Sequence, residues 1–337
     1  MNRSITRLLV ILLVLLVPLA AVAVKDEKVE GYAEWQKGNL IIVDGQRVRP
    51  AQKVKYKKIG GLYDIHLGWE VKAKGTRAAD GTLVAREIEA KPNGTAMFES
   101  EVLQATNEIE QVWVKEGKMF EPGPGGKNKT IGEISESGPR VDRVREITTR
   151  LVPPYLSSDS VRVRVIETDE WNAAAMGNGA IWVYAGLIDA MTDDELAIVL
   201  GHELAHYTHE HSRRNAKRGM WTQMLAVGAM ASSQAIDSGA TRSAVELGSV
   251  LGLSAFGSGY SRDLEDQADR VGLRYVYEAG YDVHQGPSLW AKFREKYGES
   301  DSVKTFFFGS HSRPTDRIRN INEELAINYK PQNAKER

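Results

Sequence analysis

The stretch Thr192-Asp193-Asp194-Glu195-Leu196-Ala197-Ile198-Val199-Leu200-Gly201-His202-Glu203-Leu204-Ala205-His206 decides how this chain reads. Thr192 and Glu195 stand three apart just before an apolar run. That is a capping box, in which Thr at the N-cap and Glu at N3 satisfy the first free amides of a helix. The helix then continues through Leu196, Ile198, Val199 and Leu200 to both histidines. A spacing of four puts His202 and His206 on one face, one turn apart, where they can bind one metal ion together. Glu203 follows the first histidine, so its carboxylate can reach a metal-bound water without being a ligand. H-E-x-x-H is the arrangement of zinc peptidases, although the same pattern also arises by chance on charged helices.

Moving outward, four of the seven histidines (202, 206, 209 and 211) lie within ten residues. There are no cysteines, so disulfides, thiolate metal sites and cysteine nucleophiles are excluded, and any metal is held by His and carboxylates. A metzincin site needs a glycine at position 209 and a histidine at 212; His209 and Ser212 stand there instead. The remaining third ligand is a glutamate from a later helix. Ser261-Arg262-Asp263-Leu264-Glu265-Asp266-Gln267-Ala268-Asp269 opens such a helix, with Glu265 and Asp269 one turn apart on a common face. Glu265 is placed to complete a set of two histidines and one glutamate, the alternative being that it and Asp269 are surface acids on a charged helix. Asp269 suits the outer nitrogen of a metal-bound imidazole. His209 and His211 read as exposed residues at the negative end of the first helix, followed by the polar Ser212-Arg213-Arg214.

H-E-L-A-H followed by S-R-x-x-E-x-x-A-D resembles one gluzincin family, which includes the CAAX prenyl endopeptidase, the membrane protease HtpX, a mitochondrial inner-membrane quality-control protease and the periplasmic protease BepA. Asn172-Ala173-Ala174-Ala175 leading to Gly179-Ala180-Ile181-Trp182-Val183-Tyr184-Ala185-Gly186-Leu187 is similar to that family's substrate-strand segment. His311-Ser312-Arg313-Pro314-Thr315-Asp316-Arg317-Ile318 is similar to its H-P-x-x-x-x-R-I segment. The resemblance covers roughly residues 138 to 325, with four motifs in the family's order. Three positions depart from the pattern: Ala174 for a usual Phe, Gly177-Asn178 for Pro-Gly, and Ser312 for Pro.

The resemblance implies an α+β fold with a mainly helical zincin-type metalloprotease domain and a small edge sheet. It implies one Zn²⁺ per chain held by His202, His206 and Glu265, with Glu203 as the catalytic base. The substrate is expected to lie extended along an Ala180 to Tyr184 edge strand, paired through its backbone. Asn172, Asp269 and Arg317 become candidates for substrate contact or for supporting the ligands, and a structural ion pair is the other reading of Arg317. His311 would either stabilise the oxyanion or occupy the open metal position in a resting state.

The rest of the chain reads differently. Residues 25 to 95 alternate apolar and charged residues, and Asp44-Gly45 is a two-residue hairpin signal. A second Asp-Gly, Asp80-Gly81, precedes a strand. This predicts a small all-β domain, an antiparallel barrel or sandwich, with His66 as a solvated strand residue. Residues 96 to 135 read as a helix followed by a flexible linker at Glu121 to Gly126, 136 to 328 as the peptidase domain, and 329 to 337 as a polar tail. At the start, Arg3 and Arg7 precede an apolar run and Ala21-Val22-Ala23, the layout of a secretory signal cut after residue 23. The apolar stretch Leu8 to Val24 is 17 residues, so a retained anchor is the competing reading. Either way the expected location is outside the cytoplasm, periplasmic or membrane-associated. The formal net charge is -1, which gives no basis for a nucleic-acid partner. The function expected is hydrolysis of unfolded or damaged envelope proteins, with a possible envelope or membrane partner at the β-domain. The alternative is a catalytically silent, zinc-stabilised chaperone or scaffold.

Overall fold

The computed structural model describes residues 26–92, parts of 103–122, 128–215, 218, 260–298 and 314–329. The N-terminal apolar segment, the stretch 123–127 and His311 lie outside the described residues.

Five strands, β1 (Glu27–Lys37), β2 (Leu40–Val43), β3 (Gln46–Lys57), β4 (Glu70–Arg77) and β5 (Leu83–Lys91), close into a barrel in the order β1-β2-β3-β5-β4. Asp44 and Gly45 both take positive φ, 43° and 74°. The β2–β3 connection therefore has the left-handed backbone at both central residues that a two-residue hairpin requires. The barrel is not purely antiparallel, because β3 and β5 run parallel and close it. Inward residues such as Val29, Ile41, Val48, Val71, Leu83 and Ile88 fill its core. His66 sits outside the strands, exposed, with its ring near Trp69 and Tyr155.

A six-stranded sheet follows, in the order β10-β11-β9-β8-β7-β6. Its members are β6 (Val114–Lys115), β7 (Lys118–Pro122), β8 (Asn128–Ser135), β9 (Arg162–Glu167), β10 (Ala173–Ala175) and β11 (Ala180–Tyr184). Residues 114–122 and 128–135, expected as part of a helix and linker, are thus strands that extend the peptidase sheet. Strand β11 is buried along its whole length. Ile181 and Val183 face the main core, while Ala180, Trp182 and Tyr184 face a second cluster with Trp113 and Met119. A continuous apolar run of this kind belongs to a strand covered on both faces. It lies between β9 and β10, so the expectation that Ala180–Tyr184 forms the edge is corrected: the edge is β10.

The main helices among the described residues are α1 (Pro139–Leu151), α2 (Ala185–Ala190), α3 (Asp193–Thr208), α4 (Arg262–Glu278), α5 (Gly286–Tyr297) and α6 (Pro314–Asn328). The capping box at Thr192 and Glu195 is formed, and α3 is buried almost all round. α3 crosses α4 at two glycines. A Cβ on Gly272 would lie 2.7 Å from His202 N, and one on Gly201 would lie 2.8 Å from Gly272 O. Only bare backbone allows this approach, which brings the histidines of α3 against the acids of α4. The barrel packs on the same helix pair. Trp35 stacks on Tyr329 and lies under Arg274, and Arg270 pairs with the buried Glu34 at 2.9 Å.

Candidate active site

Spacing on α3 puts His202 and His206 side by side, with Nε2 atoms 3.0 Å apart. Glu265 on α4 enters between them, with Oε2 3.5 Å from His202 Nε2 and Oε1 3.4 Å from His206 Nε2. All three side chains are buried, and their ligand atoms lie within 4.8 Å of one another. Each ring turns its Nδ1 outward to another group: His202 to Asp269 Oδ1 at 2.9 Å, His206 to His211 Nδ1 at 2.8 Å. With the Nδ1 hydrogens turned outward, two imidazole lone pairs and a carboxylate converge on one point. That donor set suits a zinc ion, and open chemistry at such a site needs three protein ligands and one further position.

The surroundings favour positive charge there. Burial and the neighbouring Arg317 both disfavour an ionised His202, yet Asp269 and Glu265 outweigh them and raise its pKa to about 9. Asp269 is itself held below the ordinary aspartate range. Its burial opposes ionisation, and Arg317 and His202 overcome that opposition. Arg317 on α6 bonds Asp269 Oδ2 through Nε at 3.0 Å and Oδ1 through Nη2, and its guanidinium lies 3.5 Å from the Trp290 ring centroid. Its Nη2 also sits 2.7 Å from His202 Nδ1. At 1% exposure Arg317 is buried behind His202 and Asp269.

Glu203 is buried beside these candidate ligands, and its Oε2 accepts a hydrogen bond from Ala175 N at 2.8 Å. This contact also orients the edge strand. Asn172 O and Met176 N bond to β11, so by alternation the backbone groups of Ala173 and Ala175 point away from it. Glu203 and the edge strand are thereby tied together. Asn172 precedes β10, and its side-chain amide is fully buried with no hydrogen-bond partner among the described residues.

The model of peptidase family M48 matches residues 139–325, more than half of the chain. The chain belongs to peptidase family M48. Its relatives include the metalloprotease YcaL of Escherichia coli, 30% identical over 59% of this chain and 74% of the relative. Metalloprotease LoiP of the same organism is 27% identical over 51% of this chain and 65% of its own length. The bovine mitochondrial metalloendopeptidase OMA1 is 29% identical over 47% of this chain, a match that spans 32% of that protein. This M48 protein is a metalloendopeptidase, and the family match covers the α3 and α4 motifs together.

Several residues of the M48 site were not singled out by the sequence. His209 and His211 are not exposed helix-end residues: both are fully buried. Burial holds the His209 pKa down at about 4, and burial with the nearby Arg214 pushes His211 well below the ordinary value. The helix dipole is not what places them. The chain turns back after α3 through Glu210, whose φ is 52°, and brings His211 under His206. Tyr260 stacks on the other side of His206, with ring centroids 4.1 Å apart and planes at 19°. Its hydroxyl meets Ser212 Oγ at 3.0 Å. Gln267, two residues from both Glu265 and Asp269 in the acidic motif, contacts His211 Nε2 through Oε1 at 3.0 Å. Its place between Glu265 and Asp269 was the one signal available for it.

Proposed function

We propose that this metallopeptidase binds one Zn²⁺ through His202, His206 and Glu265 and cleaves internal peptide bonds of unfolded or damaged proteins outside the cytoplasm. The observation that carries the reading is Glu203, a buried carboxylate beside the converging ligand atoms and hydrogen-bonded to the edge strand. Zinc at such a site lowers the pKa of a water to about 7 and polarises a carbonyl. Glu203 takes the proton of the attacking water and delivers it to the leaving amine as the C–N bond breaks. Ala175 N–H fixes the carboxylate for both transfers.

The substrate pairs in an extended conformation with β10, using the outward N–H and C=O of Ala173 and the C=O of Ala175, whose N–H stays with Glu203. Backbone pairing reads little sequence, and only a chain free of its own structure presents such a strand. That suits quality control in a cell envelope. The apolar segment at Leu8–Val24 supports export. Among the described residues no helix is long and apolar enough to cross a membrane.

The test is zinc content and degradation of an unfolded protein by the purified chain, with Glu203→Gln alongside. We expect about one zinc per chain in both, and a loss of activity of about 10²- to 10⁴-fold in the variant. A variant that keeps its zinc and still cleaves removes Glu203 as the base. Zinc binding without cleavage in the wild type points to the scaffold alternative.

A further inference from the structure

We propose that the N-terminal barrel is a working part of the metal centre: its Glu34 and Asp44 hold Gln267, Gln267 holds His211, and His211 holds His206 in the tautomer that binds metal. The inference rests on His206 being a ligand, as read above.

Two imidazole nitrogens 2.8 Å apart form a hydrogen bond only if one carries the hydrogen and the other does not. Metal on His206 Nε2 leaves the hydrogen on Nδ1. His211 then accepts at Nδ1, carries its own hydrogen on Nε2, and donates to Gln267 Oε1 at 3.0 Å. The Gln267 amide has one workable orientation. Its oxygen faces two donors, His211 and Arg214, and its nitrogen faces two acceptors, Glu34 Oε1 and Asp44 Oδ1, each at 2.7 Å. A flipped amide would set its oxygen against two carboxylates. The path from metal to barrel therefore runs in one direction, each donor meeting an acceptor. The two acids at its end strengthen every bond along it, as charge does in a buried chain of hydrogen bonds.

Metal-bound histidines generally send the second ring nitrogen to a carboxylate or carbonyl. His202 follows that rule within the peptidase unit, whereas the Nδ1 of His206 is linked through His211 and Gln267 to carboxylates of the barrel. Both acids are themselves positioned. Glu34 is 3% exposed and bonded to Arg270. Asp44 sits in the hairpin turn over Gly31, where a Cβ would come within 2.4 Å of its Cγ, and it accepts from Tyr32 N at 2.9 Å. The same short piece of β1 also straps the turn that carries His211. Tyr32 hydroxyl donates to Glu210 Oε2 at 3.0 Å, and His209 Nε2 meets the Ala33 carbonyl at 3.1 Å. Glu210 has a left-handed backbone without being glycine, a conformation that L side chains disfavour and that these contacts hold in place.

The full chain tests this through its zinc dissociation constant, measured by competition with a chelator, and through thermal unfolding of the zinc-free protein. Three variants are compared with wild type: Glu34→Gln with Asp44→Asn, His211→Asn, and all three substitutions together. His211→Asn keeps an acceptor near the Nδ1 position and ends short of Gln267, so it cuts the path without touching His206 or the barrel. We expect zinc affinity to fall about 10- to 100-fold in His211→Asn and by a comparable factor in the barrel pair. The triple variant should be no weaker than the weaker of its parents, because both cut one path in series. Gln267→Met, which breaks the same path from α4, should match the barrel pair and stands in for it if that variant does not fold. Affinity within about twofold of wild type in folded barrel and Gln267 variants, or losses that multiply in the triple, overturns the proposal. A wild type that binds no zinc fails at the ligand reading instead, which separates the two errors.

Discussion

His202 is backed by Asp269 and Arg317, both on helices of the peptidase unit. His206 is backed by His211 and Gln267 and, beyond them, by acids of the barrel. The first support is short and ionic. A carboxylate touches the ring and an arginine buried at 1% exposure holds the carboxylate. The second is longer and passes through two neutral groups before it meets charge. Two histidines one turn apart on a single helix are thus governed by different physics. The short arm depends on a buried ion pair, and the long arm on how firmly a separate unit is docked.

Breaking the short arm has the largest expected effect. Asp269→Leu strands Arg317 without its carboxylate in a buried site, which costs about 3–5 kcal/mol. It also removes the acceptor behind His202, which costs about 10- to 100-fold in metal affinity. Adding Arg317→Met separates the two losses. Replacing both members of a buried pair by apolar groups is often neutral, so stability measured by denaturant titration should return toward wild type. Zinc affinity should stay weak. If affinity returns together with stability, Asp269 acts only as a partner for Arg317 and not on the ring.

That contrast also marks what the sequence could show. The two histidines, Glu203 and Glu265 are legible because a helix repeats every 3.6 residues and places i and i+4 on one face. Asp269 follows by the same rule, and Asp44-Gly45 marks a hairpin because few residues tolerate its backbone. His211 was invisible for the opposite reason. It is placed by a left-handed turn at a glutamate and by a second unit whose docking leaves no periodic trace. The polar run Ser212-Arg213-Arg214 reads as a solvated helix end, yet Arg213 is 6% exposed and bonded to Glu70 of the barrel. Strand order is likewise not local. Ala180–Tyr184 matched a substrate-strand motif, but its unbroken apolar run already signalled a strand covered on both faces.

A smaller effect is expected where both arms share a foundation. Gly201 and Gly272 let α3 and α4 touch through backbone, and that contact fixes the distance between the histidines and Glu265. Gly272→Ala places a methyl 2.7 Å from His202 N, so the helices must move apart. Overpacking of this kind costs about 1–3 kcal/mol. Because Glu265 and Asp269 lie on the helix that is displaced, zinc affinity should fall with stability, unlike the separable losses above. Unchanged affinity in a destabilised Gly272→Ala variant would mean that the side chains, not the helix spacing, set the geometry.

The smallest effect belongs to the far end of α3, where no barrel residue is involved. Thr192 Oγ1 accepts from Glu195 N at 3.3 Å, and Glu195 returns a bond to Thr192 N while pairing with Lys292 at 2.7 Å. Thr192→Ala removes the first bond and the one Oγ1 donates to Glu195 Oε2 at 3.2 Å, leaves the bond from Thr192 N, and should cost about 1 kcal/mol. Burial opposes ionisation of Glu195, but Lys292 and Thr192 outweigh it and hold its pKa below the ordinary 4.5. A lowered carboxylate pKa contributes stability that is present above about 4.5 and fades as the pH falls through the folded value. The Glu195→Gln variant should therefore differ most from wild type at neutral pH and converge with it in acid. His202 stands ten residues along the helix, roughly 15 Å away, so neither variant should alter zinc affinity. A shift in affinity on loss of this cap would show that α3 passes strain along its length. The ligands would then answer to both ends of their helix rather than to the barrel end alone.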